Sequence, residues 1–135
     1  MRVVLDTNVI VSGLLNEFSP PGRVIDLVLS SDVSPVVDPR MLSEYADVLR
    51  RPKLRLDPDD VALFLRVVED AQHVTAAPLP FALSDPDDEP FLEVAVAGAV
   101  DALVTGNTRH FRLAEGRLAI PVVSPRAFLD RFAGR

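Results

Sequence analysis

The chain has 135 residues, 48% of them hydrophobic, and a formal net charge of −6. This length suits one globular domain over residues 1–135. No run of about 18 apolar residues is present, and Asp6 interrupts the first apolar stretch, so we expect neither a membrane span nor a signal peptide, and a cytoplasmic protein. The absence of cysteine excludes disulfides and thiolate metal sites, and the acidic balance argues against a protein that coats nucleic acid through bulk charge.

The hydrophobic pattern predicts strands that alternate with helices. Apolar runs indicate strands at residues 3–5, 34–37, 102–105 and 120–123, and residues 72–76 are a candidate for a further short strand. Helical spacing predicts helices at residues 9–15, 23–29, 39–51, 58–70 and 125–132, and one that starts at 85 or 88 with apolar positions as far as 99. We therefore expect an α/β fold with a mostly parallel sheet, and functional side chains in the proline- and aspartate-rich loop 78–90.

The first strand ends abruptly at three polar residues, Asp6, Thr7 and Asn8. Open parallel sheets keep their active sites at the carboxyl ends of strands, so this position points to a functional carboxylate. A lone charge at the end of a buried strand is costly, and a divalent metal ion is the leading candidate to compensate it. The alternative interpretation is a helix N-cap, with Asn8 forming part of the turn.

A second candidate carboxylate, Glu44, lies in the predicted helix 39–51. It is three residues after Met41 and four before Val48, so it borders the apolar stripe of that helix instead of facing open water. The alternative interpretation is a solvated flank residue paired with Arg40 or Arg51. The spacing leaves both interpretations open.

The densest acidic cluster surrounds a third candidate, Asp88. This residue precedes Phe91 and Leu92 by three and four positions, so it shares their inward face at the start of a helix. Its acidic neighbours suit the first turn of a helix, where negative charge is favoured by the helix dipole. Glu93 lies one turn further on and flanks the same apolar stripe.

Polar residues also follow the predicted strand 102–105. Thr105 and Asn107 either form a turn around Gly106 or hold a metal-bound water or a phosphate. Strand ends and helices thus direct Asp6, Glu44 and Asp88 to one sheet edge, and such oxygen-only ligand sets suit Mg²⁺ or Mn²⁺. The two histidines of the chain lack a helical metal-binding spacing, so a zinc site is not indicated.

Four segments together resemble the PIN-domain nucleases. They are VVLDTNVIVSGL at residues 3–14, LSEYADVL at 42–49 with Glu44, DPDDEPFLEVA at 85–95 with Asp88, and AVDALVTGNTRHF at 99–111. The segments follow the family's order and spacing and span nearly the whole chain. The branch that the chain is most similar to contains toxins of bacterial toxin–antitoxin systems, the VapC-type ribonucleases.

This resemblance implies a three-layer α/β/α sandwich and Mg²⁺- or Mn²⁺-dependent cleavage of RNA. It makes Asp6, Glu44 and Asp88 the acidic core, with Asp6 and Asp88 as direct ligands and Glu44 bound directly or through water. Asn107 stands where many relatives have a fourth acid, for which Glu93, or less favourably Asp101, would compensate. Thr7, Asn8, Thr105 and Asn107 would orient water or phosphate, and Arg109, His110 and Arg112 would contact RNA or be simply solvated.

Membership of the toxin branch further implies a cognate antitoxin. Exposed apolar residues on the helices after Pro39 and Pro58 would support a homodimer. Two other functions remain open. The first is a phosphatase of haloacid-dehalogenase type with Asp6 as its nucleophile, although such enzymes need an acid at position 8, where this chain has Asn8. The second is a catalytically weak or inactive PIN domain that binds RNA or protein.

Overall fold

The computed structural model describes residues 1–133, in which five strands and six α-helices alternate. The strands are β1 (Arg2–Leu5), β2 (Ser34–Val37), β3 (Gln72–His73), β4 (Ala102–Val104) and β5 (Val122–Val123). The α-helices are α1 (Thr7–Leu15), α2 (Pro20–Leu29), α3 (Pro39–Leu49), α4 (Pro58–Glu69), α5 (Glu89–Ala97) and α6 (Pro125–Ala133). Short 3₁₀ helices occupy Pro52–Leu54, Pro86–Asp88 and Thr108–Ala114.

The strands form one parallel sheet in the order β3-β2-β1-β4-β5. In its register, Leu5 of β1 lies opposite Val104 of β4, so both central strands end at the same level. From β1 the chain continues to β2 on one side, and it later returns to β4 on the other side, so a topological switch point lies between β1 and β4. Ligands of open α/β sheets bind at the carboxyl ends of the strands at such a point.

The predicted fold class is confirmed, since helices enclose a parallel sheet in a three-layer α/β/α sandwich. Both faces of the central strands are covered, which explains why β1 and β4 are continuous apolar runs and not alternating ones. The core includes four large, fully buried side chains, Tyr45, Phe64, Phe111 and Phe128. No helix within the described residues is long and apolar enough to cross a membrane.

The predicted elements are present, and their ends differ for local reasons. Helix α2 begins at Pro20 instead of residue 23, because Ser19 caps it: the Gly22 N–H donates to Ser19 Oγ at 3.2 Å. Proline in the first turn costs no hydrogen bond, since those N–H groups have no partner within a helix. Helix α5 ends at Ala97, short of the predicted apolar position Ala99, whose backbone adopts a left-handed φ of 46°. The 3₁₀ segment Thr108–Ala114 was not predicted.

Helices α1 and α2 pack closely at Gly13, a position that leaves no room for a side chain. A Cβ there would lie 2.7 Å from Ile25 Cγ1 and 2.8 Å from the Pro21 carbonyl oxygen. We therefore expect Gly13→Ala to lower the free energy of unfolding by about 1–3 kcal/mol, as for other overpacked sites. Urea denaturation would measure the change, with Ser12→Ala on the exposed side of α1 as the control. Equal stability of Gly13→Ala and the unaltered protein would contradict this packing.

Candidate active site

Asp6 lies at the switch point, at the carboxyl end of β1. Its backbone N–H donates to the Val104 carbonyl at 2.9 Å, which fixes it against the neighbouring strand β4. The side chain is buried, and its Oδ2 accepts a hydrogen bond of 2.8 Å from Thr105 Oγ1 and a longer one of 3.4 Å from Asn8 Nδ2. Asp6 is the N-cap residue of α1, yet its carboxylate makes no capping hydrogen bond. The N-cap alternative therefore does not account for this side chain.

The loops that follow β1 and β4 are joined by hydrogen bonds. The Gly106 N–H donates to Asn8 Oδ1 at 3.0 Å, and the Asn107 N–H donates to Thr105 Oγ1 at 3.0 Å. Thr105 is completely buried, and its hydroxyl group donates a hydrogen bond to Asp6. These contacts bring together the predicted residues of both strand ends, and they hold the Asp6 carboxylate in one orientation.

Helix α3 adds Glu44 to the same edge. Its carboxylate accepts a short hydrogen bond from the Thr7 hydroxyl, directly after Asp6 in the chain. The adjacent Tyr45 is buried and donates its hydroxyl hydrogen to the carbonyl oxygen of Leu5, the last residue of β1. Helix α3 is thus attached to the end of β1 at two points. The alternative pairing of Glu44 with Arg40 or Arg51 does not occur, because those arginines bind other carboxylates.

Asp88 approaches the site from the start of α5. It is buried and is the last residue of the 3₁₀ turn Pro86–Asp88, which Asp85 caps and which continues into α5. Its Oδ2 lies 3.2 Å from Nδ1 of His110 in the 3₁₀ segment, but it makes no hydrogen bond of regular geometry. Buried carboxylate oxygens normally accept well-formed hydrogen bonds, so this oxygen is a candidate ligand atom.

The surroundings of Asp6 and Asp88 oppose their ionisation. Burial raises the pKa of Asp6, and the nearby charge of Asp88 raises it further, against the lowering effect of the Thr105 hydrogen bond and the amides of Thr7 and Asn8. Burial also raises the pKa of Asp88, as does the charge of Asp85, while His110 lowers it. When the ionised forms of two neighbouring carboxylates are disfavoured in this way, a bound cation would stabilise both.

Glu93 lies in a separate ion-pair network. Its Oε1 is 2.7 Å from Nη1 of Arg40, whose Nη2 is 2.8 Å from Oδ2 of Asp38. Asp38 is the N-cap of α3 and also accepts the Met41 N–H at 3.0 Å. Sequence reasoning proposed Glu93 as a compensating acid but missed the arginine that neutralises it. Arg40 contacts Oε1 of Glu93, so the charge of Glu93 is already balanced by an ion pair.

The donor set can be compared with what a divalent cation requires. Within residues 1–133, no three His, Cys, Asp or Glu side chains lie close enough together to hold an ion. Asp6 and Asp88 nevertheless fit a hard cation, because both are buried carboxylates and the charge of Asp88 reaches Asp6. Oδ2 of Asp88 faces the His110 ring without a regular hydrogen bond. Glu44 stands beside them, held by Thr7. The residues therefore fit a site of two direct carboxylates, with the third acid adjoining.

The basic residues near the site differ in position. His110 is half-buried against Asp88, whereas Arg109 and Arg112 are exposed. His73, in the short edge strand β3, is exposed and lies 2.9 Å from the carbonyl oxygen of Glu69. Of these four residues, His110 contacts a candidate site residue, and the RNA contacts of the two arginines stay predictions.

The ion pair of Arg40 supports a stability prediction. Arg40→Ala leaves the largely buried Glu93 without its partner, so we expect a loss of about 2–3 kcal/mol, below the range for fully buried pairs because Arg40 is half exposed. The matched control is Arg51→Ala, since Arg51 is equally exposed but pairs with the exposed Asp47. That variant should lose under about 1 kcal/mol in the same urea titration. Equal losses would show that Glu93 does not depend on Arg40.

Comparison with known proteins agrees with this architecture. Residues 2–109 match the model of the PIN domain family. The chain is also 25% identical over 143 residues to an uncharacterized protein of Methanocaldococcus jannaschii, MJ1680, an alignment that covers 98% of this chain and 92% of that protein. The family match takes in both central strands, Asp6, Glu44 and Asp88. The chain therefore belongs to the PIN domain family, whose members are generally nucleases acting on nucleic acid.

Proposed function

We propose that the protein is a metal-dependent endoribonuclease that hydrolyses phosphodiester bonds in RNA. One observation carries the proposal: Asp6 and Asp88 are buried carboxylates near enough for the charge of Asp88 to raise the pKa of Asp6. A buried carboxylate that bears a costly charge beside a second one is a candidate functional group. When bound, Mg²⁺ or Mn²⁺ would activate water and neutralise phosphate charge.

The proposed roles follow from the hydrogen bonds at the site. Asp6 and Asp88 would hold the ion directly, and Glu44 would do so directly or through water. Thr105 orients Asp6, and Thr7 orients Glu44, so that neither acid is free to rotate. Fixed carboxylates of this kind are what metal sites require of the groups behind their ligands.

The remaining polar side chains of the two loops face the substrate in this proposal. Asn8 is held by the Gly106 amide, so its side chain has one orientation relative to Asp6. Asn8 and Asn107 would place water or the phosphate beside the acidic pair. Thr7 and the completely buried Thr105 would contribute through the acids that they orient. Positioning of this type contributes to catalysis by reducing the entropy lost in the reaction.

A direct test is to incubate the purified protein with mixed single-stranded RNAs and Mn²⁺ or Mg²⁺, with EDTA in parallel samples. We expect cleavage only with the metal, and products consistent with internal cuts. A single-stranded DNA of matching sequence would serve as the substrate control. RNA left intact at every metal concentration, together with no Mn²⁺ binding by calorimetry, would contradict the proposal.

We further propose that the chain is the toxin of a toxin–antitoxin pair and forms a homodimer. The resemblance to VapC-type ribonucleases supports the first part. An exposed groove of about 510 Å³ with a mixed apolar and acidic lining supports a partner protein, since Leu15, Phe18 and Leu63 are exposed and line it together with Glu17, Asp26 and Asp60. Of the two helices expected to support a dimer, α4 contributes Leu63, whereas the apolar residues of α3 are buried or half-buried.

Induced expression of the chain in a bacterial host tests the toxin role. We expect growth arrest that an Asp6→Asn variant does not cause, and relief when the neighbouring gene is expressed with it. Sedimentation of the purified protein would determine whether it forms a dimer. Unimpaired growth, with active enzyme present in the cells, would favour an RNA-processing role over a toxin.

A second candidate function is a non-catalytic domain that binds RNA or protein. The resemblance to PIN-domain nucleases implies that Asn107 stands where many relatives have an acid. In addition, Glu93, the predicted compensating acid, is neutralised by Arg40. Both reduce the negative charge available to a metal. Metal titration separates the two functions, because RNA binding that is unaffected by EDTA, without cleavage, would support the binding domain.

A further inference from the structure

An open cavity of about 250 Å³ lies on the side of α1, next to Asp6 through its lining residue Asn8. It is lined by Asn8, Val9, Ser12, Pro21, Gly106, Asn107 and Pro125. The first three of these residues lie on α1, the next lies at the start of α2, Gly106 and Asn107 lie in the loop after β4, and the last lies at the start of α6. None of the seven lining residues carries a charge, in contrast to the acidic site beside it. The cavity therefore suits a neutral group and not a metal ion.

Two of the lining residues connect the cavity to Asp6. Asn8 Nδ2 lies 3.4 Å from Asp6 Oδ2, and the Asn107 backbone N–H donates to Thr105 Oγ1, which itself donates to Asp6. Gly106 leaves space beside the Asn8 side chain, since a Cβ at position 106 would lie 3.3 Å from Asn8 Oδ1. A molecule in the cavity would thus lie next to whatever the acidic pair binds.

Helix starts often bind phosphate, but those around this cavity have few free donors. The Val9 N–H donates to the Asp6 carbonyl, so the first turn of α1 is engaged. Helices α2 and α6 begin with prolines, which have no N–H, and the serines before them accept the next amides: Gly22 bonds to Ser19, and Ala127 to Ser124. The lining has no cationic side chain, and the Val9, Gly106 and Asn107 amides are engaged, so the cavity is a poor phosphate site.

The polar and apolar side chains of the lining match the edge and the face of a nucleobase. Within residues 1–133, neither the Asn107 amide nor the Ser12 hydroxyl has a hydrogen-bond partner, and both residues are exposed. An amide offers donors and an acceptor together, as required to read a base edge. The rings of Pro21 and Pro125 offer apolar surface for the face of a base. The volume lies below the roughly 300–1,000 Å³ of pockets for drug-sized ligands, so one base suits it better than a larger group.

We propose that this cavity is a subsite for one nucleobase of an RNA substrate, next to the phosphodiester that the acidic pair addresses. The inference rests on the proposed nuclease function and adds to it a source of sequence preference. Base edges differ in their order of donors and acceptors, so the fixed loop would favour one base at a single position relative to the cut. Cleavage should therefore depend on base identity at that position.

The first test measures binding without catalysis. The ¹⁵N-labelled protein is titrated with AMP, CMP, GMP and UMP in EDTA, and with inorganic phosphate as a separate probe. We expect saturable shifts of the Gly106 backbone and Asn107 side-chain amide signals, with dissociation constants that differ by about fivefold or more between the best and worst base. Shifts that are equal for all four nucleotides and for phosphate alone would overturn the proposal in favour of an anion site.

A cavity-filling variant provides the second test. Ser12→Leu fills the cavity from the exposed side of α1 and alters none of the residues proposed to hold or orient the ion. The matched control is Ser43→Leu, at an exposed position of α3 that does not line the cavity. We expect Ser12→Leu to abolish the nucleotide-induced shifts and to weaken the base preference of RNA cleavage at least fivefold, whereas Ser43→Leu changes neither.

The outcomes distinguish the subsite from the nuclease function. Base-selective binding that Ser12→Leu removes supports the subsite even if no RNA is cleaved under any condition, and the proposed function then fails alone. Cleavage with the same base preference in Ser12→Leu and the unaltered protein, without nucleotide-induced shifts, overturns the subsite and leaves the nuclease intact. Circular dichroism of both serine variants would confirm that they are folded.

Discussion

Asp6→Asn is expected to reduce RNA cleavage by about a thousandfold or more, equivalent to about 4 kcal/mol of activation free energy. The amide keeps the size of the side chain and can still accept the hydrogen bond from Thr105. It lacks the negative charge that would hold a divalent cation. The measurement is kcat/KM for cleavage of one RNA in Mn²⁺, with the enzyme concentration taken as that of the folded protein. Cleavage within tenfold of the unaltered protein would remove Asp6 from the proposed machinery.

Two comparisons make this result specific. Asp47→Asn is the matched control, because Asp47 is an exposed acid of α3 that pairs only with Arg51, and its loss should leave cleavage unchanged. Stability provides the second comparison. Burial and the charge of Asp88 raise the pKa of Asp6, so without added metal the variant should unfold at an equal or higher urea concentration. An inactive variant that is also less stable would point to misfolding instead of a lost ligand.

The placement of Asp6 and Thr105 at one edge of the sheet was predictable because it depends on few, local rules. An apolar run that stops at Asp6, and a second that stops before Thr105, identified two strand ends. Parallel strands place their ends at one edge, so a correct fold class was enough to bring the two together. The burial of Asp88 followed from its spacing to Phe91 and Leu92 in the same way.

The partners of the side chains were less predictable, because they depend on contacts between distant elements. Arg40 and Glu93 are separated by 53 positions, and nothing in either local sequence indicates that they meet. His110 reaches Asp88 only through the 3₁₀ segment Thr108–Ala114, which has no helical periodicity that would reveal it. Tyr45 lies four residues after Met41, but its hydrogen bond to Leu5 depends on how α3 lies on β1 and has no signal in the local sequence.

The raised pKa values also predict how stability depends on pH when no divalent cation is added. In the folded protein, burial raises the pKa of Asp6 and of Asp88 above the unfolded value of roughly 3.9. Each group therefore contributes stability in full below the unfolded pKa, and this contribution is lost as the pH rises through the folded pKa. As the pH rises from the unfolded pKa through the folded pKa, we expect the unaltered protein to lose stability relative to Asp6→Asn. Urea titrations of both proteins from pH 4 upward would measure this growing difference in unfolding free energy.

A divalent cation should reverse this loss at neutral pH. An ion that binds only the folded protein stabilises it by about 2.7 kcal/mol when its concentration is 100 times its dissociation constant. We therefore expect Mn²⁺ or Mg²⁺ at pH 7 to raise the unfolding midpoint of the unaltered protein and of Asp47→Asn, but not that of Asp6→Asn. A rise of equal size in all three would show that the ion binds elsewhere on this acidic chain. Because unfolding is measured without RNA, the result tests the ligand role of Asp6 separately from cleavage, and Asp88→Asn should behave as Asp6→Asn does if the two aspartates share one ion.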